Sequence, residues 1–144
     1  MNKKSDDLVE IVRTGVEEVY CNGRIDLMDM YYQPDLVLHA PHPFNTTGLG
    51  PFREIVGVLL QSFPDFHEEL IDAGQVGDSV LAHWVITGTQ QGDYPGQRNT
   101  GRSFRVYSID KYRFKDGKIA EHWTGMDFLS MYRQLEWTLD EFVS

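Results

Sequence analysis

The sequence predicts an α+β fold in which a curved antiparallel or mixed sheet wraps as a cone around N-terminal helices. Three observations carry this. Apolar residues recur at helical spacing over the first 62 or so positions, the texture changes to period-two alternation from Phe66 onward, and the strands so marked are divided by turns rather than by helices. At 144 residues the chain has the size of one domain, so 1–144 is read as a single unit.

Each element follows from local chemistry. From Ser5, the residues Leu8, Val9, Val12, Val16, Val19 and Tyr20 recur at three- and four-residue steps, with Asp6 and Asp7 where a helix start favours negative charge. This helix should stop at Asn22-Gly23. A shorter helical piece holding Ile25, Met28 and Tyr31 follows, and Pro34 forbids its continuation. A strand covers about 35–40, and Pro41, Pro43, Asn45, Gly48 and Gly50 make a loop. Pro51 suits a first helical position, after which Phe52, Ile55, Val56, Leu59 and Leu60 form an apolar face that ends at Phe63-Pro64. Four long antiparallel strands are expected near 66–75, 79–90, 102–114 and 118–125, with turns at Gly77-Asp78 and Asp116-Gly117. The stretch 90–101 (QQGDYPGQRNTG) should project as a long hairpin loop able to cover a pocket. After Asp127, a last amphipathic helix carries Phe128, Leu129, Met131, Tyr132, Leu135 and Trp137.

Composition bounds the function. Hydrophobic residues at 41% and aromatics at 12%, against 24% charged, supply enough apolar surface to order the chain. A formal net charge of −9 would repel a phosphate backbone or an anionic bilayer, which excludes nucleic acid and membrane as partners. The single cysteine, Cys21, cannot form an intramolecular disulfide, and the start MNKKSDDLVE has no apolar segment behind its lysines, so a cytoplasmic location is expected. The five histidines lie scattered, with Ala40-Pro41 preventing His39 and His42 from sharing a helix face, so no metal site is expected. The GLGPFR stretch at 48–53 lacks the context of a dinucleotide fingerprint, and no nucleophile elbow or P-loop is present.

Strand register suggests where polar groups meet apolar ones. In 102–114, Phe104, Val106, Tyr112 and Phe114 alternate with Arg105, Lys111 and Arg113, and Asp110 falls in the apolar set. Counting outward from Asp116-Gly117 sets Lys115 opposite Lys118, Phe114 opposite Ile119, Tyr112 opposite Glu121 and Asp110 opposite Trp123. Asp110 and Trp123 should then share one interior. A carboxylate among aromatic walls is raised in pKa and suits acid/base work, or it is neutralised there by a hydrogen bond or a basic neighbour. Across Gly77-Asp78 the same count sets Ile71 opposite Trp84, Ala73 opposite Ala82 and Asp72 opposite His83, turning Trp84 inward. Asp127, where the last strand hands over to the last helix, sits where an N-cap is favoured. His39, ending a strand before a Pro-rich loop, either lines a pocket mouth or is solvated.

The run SVLAHWVITGTQQGDYPGQRNTGRSF, and then YSIDKYRFKDGKIAEHWTGMDFLSMYRQLE, resembles the SnoaL-like polyketide cyclases (ester cyclases) of the nuclear-transport-factor-like superfamily. The opening DLVEIVRTGVEEVYCNGRIDLMDMYYQPDLVLH extends the resemblance over nearly the whole chain. It implies a cystatin-like α+β barrel and a cofactor-free intramolecular aldol condensation. It also implies an acid/base role for Asp127, four positions after the tryptophan of the E-x-W motif Glu121-His122-Trp123. The sequence departs from the family at Asp110, where some cyclases carry histidine, and at Asn99-Thr100-Gly101-Arg102, where Pro-Thr-Gly-Arg is usual.

The expected function is therefore small-molecule acid/base catalysis on a hydrophobic carbonyl compound, with no cofactor or metal. Asp127 moves the proton, Asp110 orients or shares it, and His39, Trp84, Trp123, Tyr94 and Tyr112 shape the substrate site. A homodimer is expected, with Leu70, Leu81 and Val85 on the reverse sheet face as its contact. The alternatives are a non-catalytic hydrophobic-ligand-binding or dimerisation module, or epoxide hydrolase or isomerase chemistry on the same cone.

Overall fold

The computed structural model describes residues 7–140, so the predicted helix start at Ser5 and Asp6 lies outside it. Helix α1 spans Leu8–Val16, its first turn capped by the Asp7 carboxylate accepting from the Glu10 amide at 3.1 Å. It runs on as a π-helical turn over Glu17–Cys21, whose wider pitch turns both Val19 and Tyr20 inward. A 3₁₀ turn at Ile25–Leu27 and helix α2 at Met28–Tyr31 lead into strand β1, Tyr32–His39. That strand begins three residues before the predicted start and contains Pro34. The proline lies between Tyr32 and Val37, where the ladder to the neighbouring strand is interrupted and a missing N–H breaks nothing.

A two-residue strand β2, Thr46–Thr47, follows; it is too short to leave a periodic trace in the sequence. Helix α3, Leu49–Ser62, starts two residues ahead of Pro51, from Gly48 at φ 96°. Strands β3 (His67–Val76), β4 (Ser79–Thr89), β5 (Ser103–Lys115) and β6 (Lys118–Thr124) lie within a residue or so of expectation, and helix α4 covers Phe128–Leu135. The fold is α+β. Its six strands form one open sheet in the order β2-β1-β6-β5-β4-β3, with β1 parallel to β6 and every other pair antiparallel. Among the described residues no helix is long and apolar enough to cross a membrane.

Helix α1 packs on β3 and β4, α3 on β1 and α4 on β5, so the helices fill the concave side of the sheet. Val12, Val16 and Val19 meet Phe52, Val56, Trp84, Phe104 and Leu135 in one buried cluster. Phe63, wholly buried at the end of α3, stands edge-on to Phe104 at 5.2 Å. Gly88 is required beneath that pair, because a Cβ there would lie 2.9 Å from the Phe104 ring.

Two β-bulges correct the predicted registers. Between β5 and β6, Lys115 faces Lys118 and Phe114 faces Ile119 as expected, but Arg113 then faces Glu121, leaving Ala120 without a partner. Tyr112 therefore pairs with His122, not Glu121, and Asp110 with Thr124, not Trp123. Between β3 and β4, Asp72 faces His83 and Ala73 faces Ala82 as expected. A bulge at Ile71 then sets Leu70, not Ile71, opposite Trp84, and Ile71 is left half exposed. Because strand side chains alternate, each additional residue exchanges the faces of all that follow it.

Candidate active site

A cavity of about 110 Å³ lies between the concave face of the sheet and the helices. Aromatic rings from nearly every layer line it: Tyr20 from the π turn, Tyr32 from β1, Phe52 from α3, Tyr112 from β5 and Tyr132 from α4. Into this apolar hollow the fold sends two carboxyl groups and an imidazole, Asp110, Glu68 and His122, and among the described residues no lysine or arginine lines it.

Strict alternation along β5 buries Phe104, Val106, Ser108, Asp110, Tyr112 and Phe114, placing Asp110 indoors at 5% exposure. One of its oxygens, Oδ2, is 2.7 Å from His122 Nε2, and the other accepts the Ser108 hydroxyl. The hydroxyls of Tyr112 and Thr124 donate to the same carboxylate at 3.4 Å. A carboxylate accepts only, so the imidazole proton sits on Nε2, facing Asp110. That leaves Nδ1 as the nitrogen with a lone pair, and this atom is buried with no hydrogen-bond partner. The Tyr112 ring stacks on the imidazole at 4.4 Å, fixing its plane. Burial, with the Asp110 charge adding to it, pushes the Tyr112 phenol well above its usual pKa, so it remains a donor. An imidazole held by a carboxylate on one nitrogen and unpartnered on the other is the arrangement of a general base.

Glu68 enters from β3 opposite Ile86. Removal from water, and next the negative charge of Asp110, raise its carboxyl from 4.5 to about 8. Tyr20 and Tyr32 are pushed up by the same burial.

The structure brings together some of the residues singled out from sequence and separates others. Asp110, Tyr112 and Tyr94 line the cavity. Tyr94 is held there because its loop is pinned to the chain beyond α4: Gln90 Oε1 accepts from Thr100 and from the Trp137 indole at 3.0 Å, and Gln97 pairs with Thr138. Tyr94 itself stacks on Trp137 at 5.0 Å. Trp84 points inward, as expected, but it is buried in the core and does not reach the cavity. Trp123 and His39 lie on the opposite face of the sheet, Trp123 because of the bulge at Ala120 and His39 because it alternates with the buried Leu36 and Leu38 along β1. There they stack on one another at 4.9 Å, with the Lys111 ammonium over the indole. Asp127 does not share the hollow with Asp110. It is exposed and caps α4, accepting from the Ser130 amide at 3.0 Å.

Two residues of the site were not singled out from sequence, although each leaves a trace there. Glu68 falls in the same alternating set as Phe66 and Leu70. His122 follows Ile119-Ala120, adjacent apolar residues that break the alternation and mark a bulge.

A model of the SnoaL-like polyketide cyclase family matches residues 10–135. The chain is 32% identical over 133 residues to the aklanonic acid methyl ester cyclase DauD of Streptomyces sp. strain C5, spanning 88% of this chain and 80% of that one. It shares the same identity with the aklanonic acid methyl ester cyclase DnrD of Streptomyces peucetius, covering 88% and 89%. Among solved structures, TsrD from Streptomyces laurentii superposes with a TM-score of 0.79 at 27% identity, over 94% of this chain and 97% of that one.

Proposed function

The chain belongs to the SnoaL-like polyketide cyclase family, and from that premise we propose that it closes a carbon ring by an intramolecular aldol reaction on a neutral polyketide ester, with no resident cofactor. The observation that carries this reading is the buried Asp110–His122 pair at the wall of an aromatic cavity, whose second imidazole nitrogen has no hydrogen-bond partner among the described residues.

In this reading His122 Nδ1 removes a proton from the carbon next to a carbonyl. Asp110, 2.7 Å from Nε2, stabilises the imidazolium that forms. The enolate carbon then attacks a second carbonyl of the same molecule; the new C–C bond forms as the C=O electron pair moves to oxygen, which must then be protonated. Tyr20, Tyr112 and Tyr132 present flat walls on which a planar substrate folds toward the ring-closing geometry. Exclusion of water strengthens the charge interactions and protects the enolate. The absence of lysine and arginine from the lining among the described residues favours a substrate whose acid is masked, since a free carboxylate would meet Asp110 unpaired. The ester of the relatives' names fits that requirement, and aklanonic acid methyl ester is the probe.

The test is turnover of that ester by Asp110→Asn, a nearly isosteric change that leaves the imidazole without its counter-charge. A loss of about a thousandfold with the fold intact is expected. Wild-type turnover by this variant would overturn the assignment. Binding of the ester by the wild-type chain with no turnover would instead identify a hydrophobic-ligand carrier.

A further inference from the structure

We propose that Glu68 is the proton donor of this cavity, delivering its hydrogen to the oxygen of the carbonyl under attack. The role rests on the aldol reading of the Asp110–His122 pair and adds its acid partner.

Position is the first argument. Glu68 pairs with Ile86, which pairs in turn with Val106, so its backbone lies two strands across and four residues along from Asp110. The curvature of the sheet turns both carboxyls into one hollow, near enough for the charge of Asp110 to act on Glu68. A ligand seated between them would meet the base at one end and Glu68 at the other.

Isolation is the second. The Asp110 carboxylate is hydrogen-bonded on both oxygens, whereas among the described residues the Glu68 carboxyl has no hydrogen-bond partner. Glu68 is itself only partly buried, so its carboxyl is met by water or by the polar group of whatever enters the hollow. The groups around it leave it neutral. Asp110 and Tyr112 face it from β5, His122 from β6, Tyr32 from β1 and Tyr20 from the π turn. The thiol of Cys21 donates to its backbone carbonyl at 3.7 Å, and β4 offers only the apolar Ile86. None of these is a lysine or arginine that would hold Glu68 ionised. With its carboxyl raised to about 8 and the three phenols and the thiol raised above their own ordinary values, Glu68 is the acid that still holds its proton at neutral pH and releases it most readily.

The step balances. His122 Nδ1 takes the C–H proton, the enolate carbon bonds to the acceptor carbon, and the carbonyl π pair goes to oxygen. The Glu68 O–H bond breaks as that oxygen takes its proton, giving an alcohol and a Glu68 carboxylate. Return of the imidazolium proton to Glu68, through water as product leaves, resets both groups.

The experiment compares wild-type chain, Glu68→Gln, Glu68→Asp and Asp110→Asn in pH profiles of kcat on aklanonic acid methyl ester, with melting temperatures and a carbon-13 NMR titration of the Glu68 carboxyl. The wild type should lose activity as pH rises through about 8, since the donor must be protonated. Glu68→Gln should be slower by about a hundredfold at pH 7, lack that alkaline limb and melt no lower than wild type. Glu68→Asp should be slowed yet keep the limb. Glu68→Gln with the wild-type rate and profile, while Asp110→Asn is inactive, would overturn the role of Glu68 alone. Wild-type activity in Asp110→Asn would overturn both assignments. Titration of Glu68 near 4.5, with the ordinary carboxylates, would also overturn it.

Discussion

The two faces of the sheet each carry a histidine–carboxylate pair, and the contrast between them separates a site from an ornament. On the concave face His122 meets Asp110, and on the convex face His39 meets Glu121, both at 2.7 Å. The inner side chains are 9% and 6% exposed, the outer ones 43% and 24%. Glu121 is also bound by Arg113 at 2.9 Å, and these two partners, His39 first, hold its carboxyl below its usual range. Inside, among the described residues, no lysine or arginine neutralises Asp110, the pair is nearly buried and one imidazole nitrogen has no partner. Bond length is the same in both; what differs is dielectric and an unused valence. An ion pair that is already satisfied and wet has nothing left to offer a substrate.

The largest expected effect, the thousandfold fall in turnover for Asp110→Asn, sharpens this comparison when set beside Glu121→Gln. The outer substitution should leave the rate within twofold in the same assay. His122→Gln should match Asp110→Asn, because the two act as one unit and their losses do not add.

A second effect is thermodynamic and tests the dryness of the inner face directly. Glu68 has a folded pKa of about 8 against 4.5 when unfolded, so between these values the folded chain holds the additional proton. Stability should accordingly fall as pH rises from 4.5 to 8. In Glu68→Gln that decline should flatten, with the variant melting several degrees above wild type at pH 8 in a thermal scan. Parallel melting curves for the two proteins across this range would mean the hollow is wet.

Smaller still is the effect at the helix cap. Asp127→Ala should cost about 1 kcal/mol in denaturant unfolding, with turnover within a few-fold of wild type. A loss as deep as that of Asp110→Asn would move the acid/base role to Asp127, as the family resemblance implied. Least of all, removing the outer pair by His39→Ala should cost under about 1 kcal/mol in the same unfolding assay. Any such loss should vanish on acidification through the lowered pKa of Glu121, because a depressed carboxylate stabilises only while ionised.

The elements were legible in the sequence because each has a strong local cause: helical periodicity for α1 and α3, alternation in β5, and Asp-Gly at the last turn. The inward aim of Asp110 was legible too, from its place among Phe104, Val106 and Tyr112. What failed was the pairing across strands. A count from the turn assumes one residue opposite one residue, and Ala120 and Ile71 each violate it. The violation at Ala120 put His122, not Trp123, beside the site, whereas His39 faces out by plain alternation with Leu36 and Leu38 along β1. Asp127 was legible as a cap from position alone. Glu68 was equally readable from the spacing of Phe66 and Leu70, yet a charged residue in a strand is readily taken for a solvated one.

The unpaired residue at position 120 also has an engineering corollary. Deleting Ala120 would restore an uninterrupted ladder and rotate the rest of β6 by half a turn, sending an indole into the hollow and an imidazole out to solvent. The product would be a greasy container stripped of its proton acceptor, made without touching any residue that performs chemistry. On the proposed reading a single alanine separates a catalyst from a carrier, and insertions or deletions beside the last hairpin are the economical route between them.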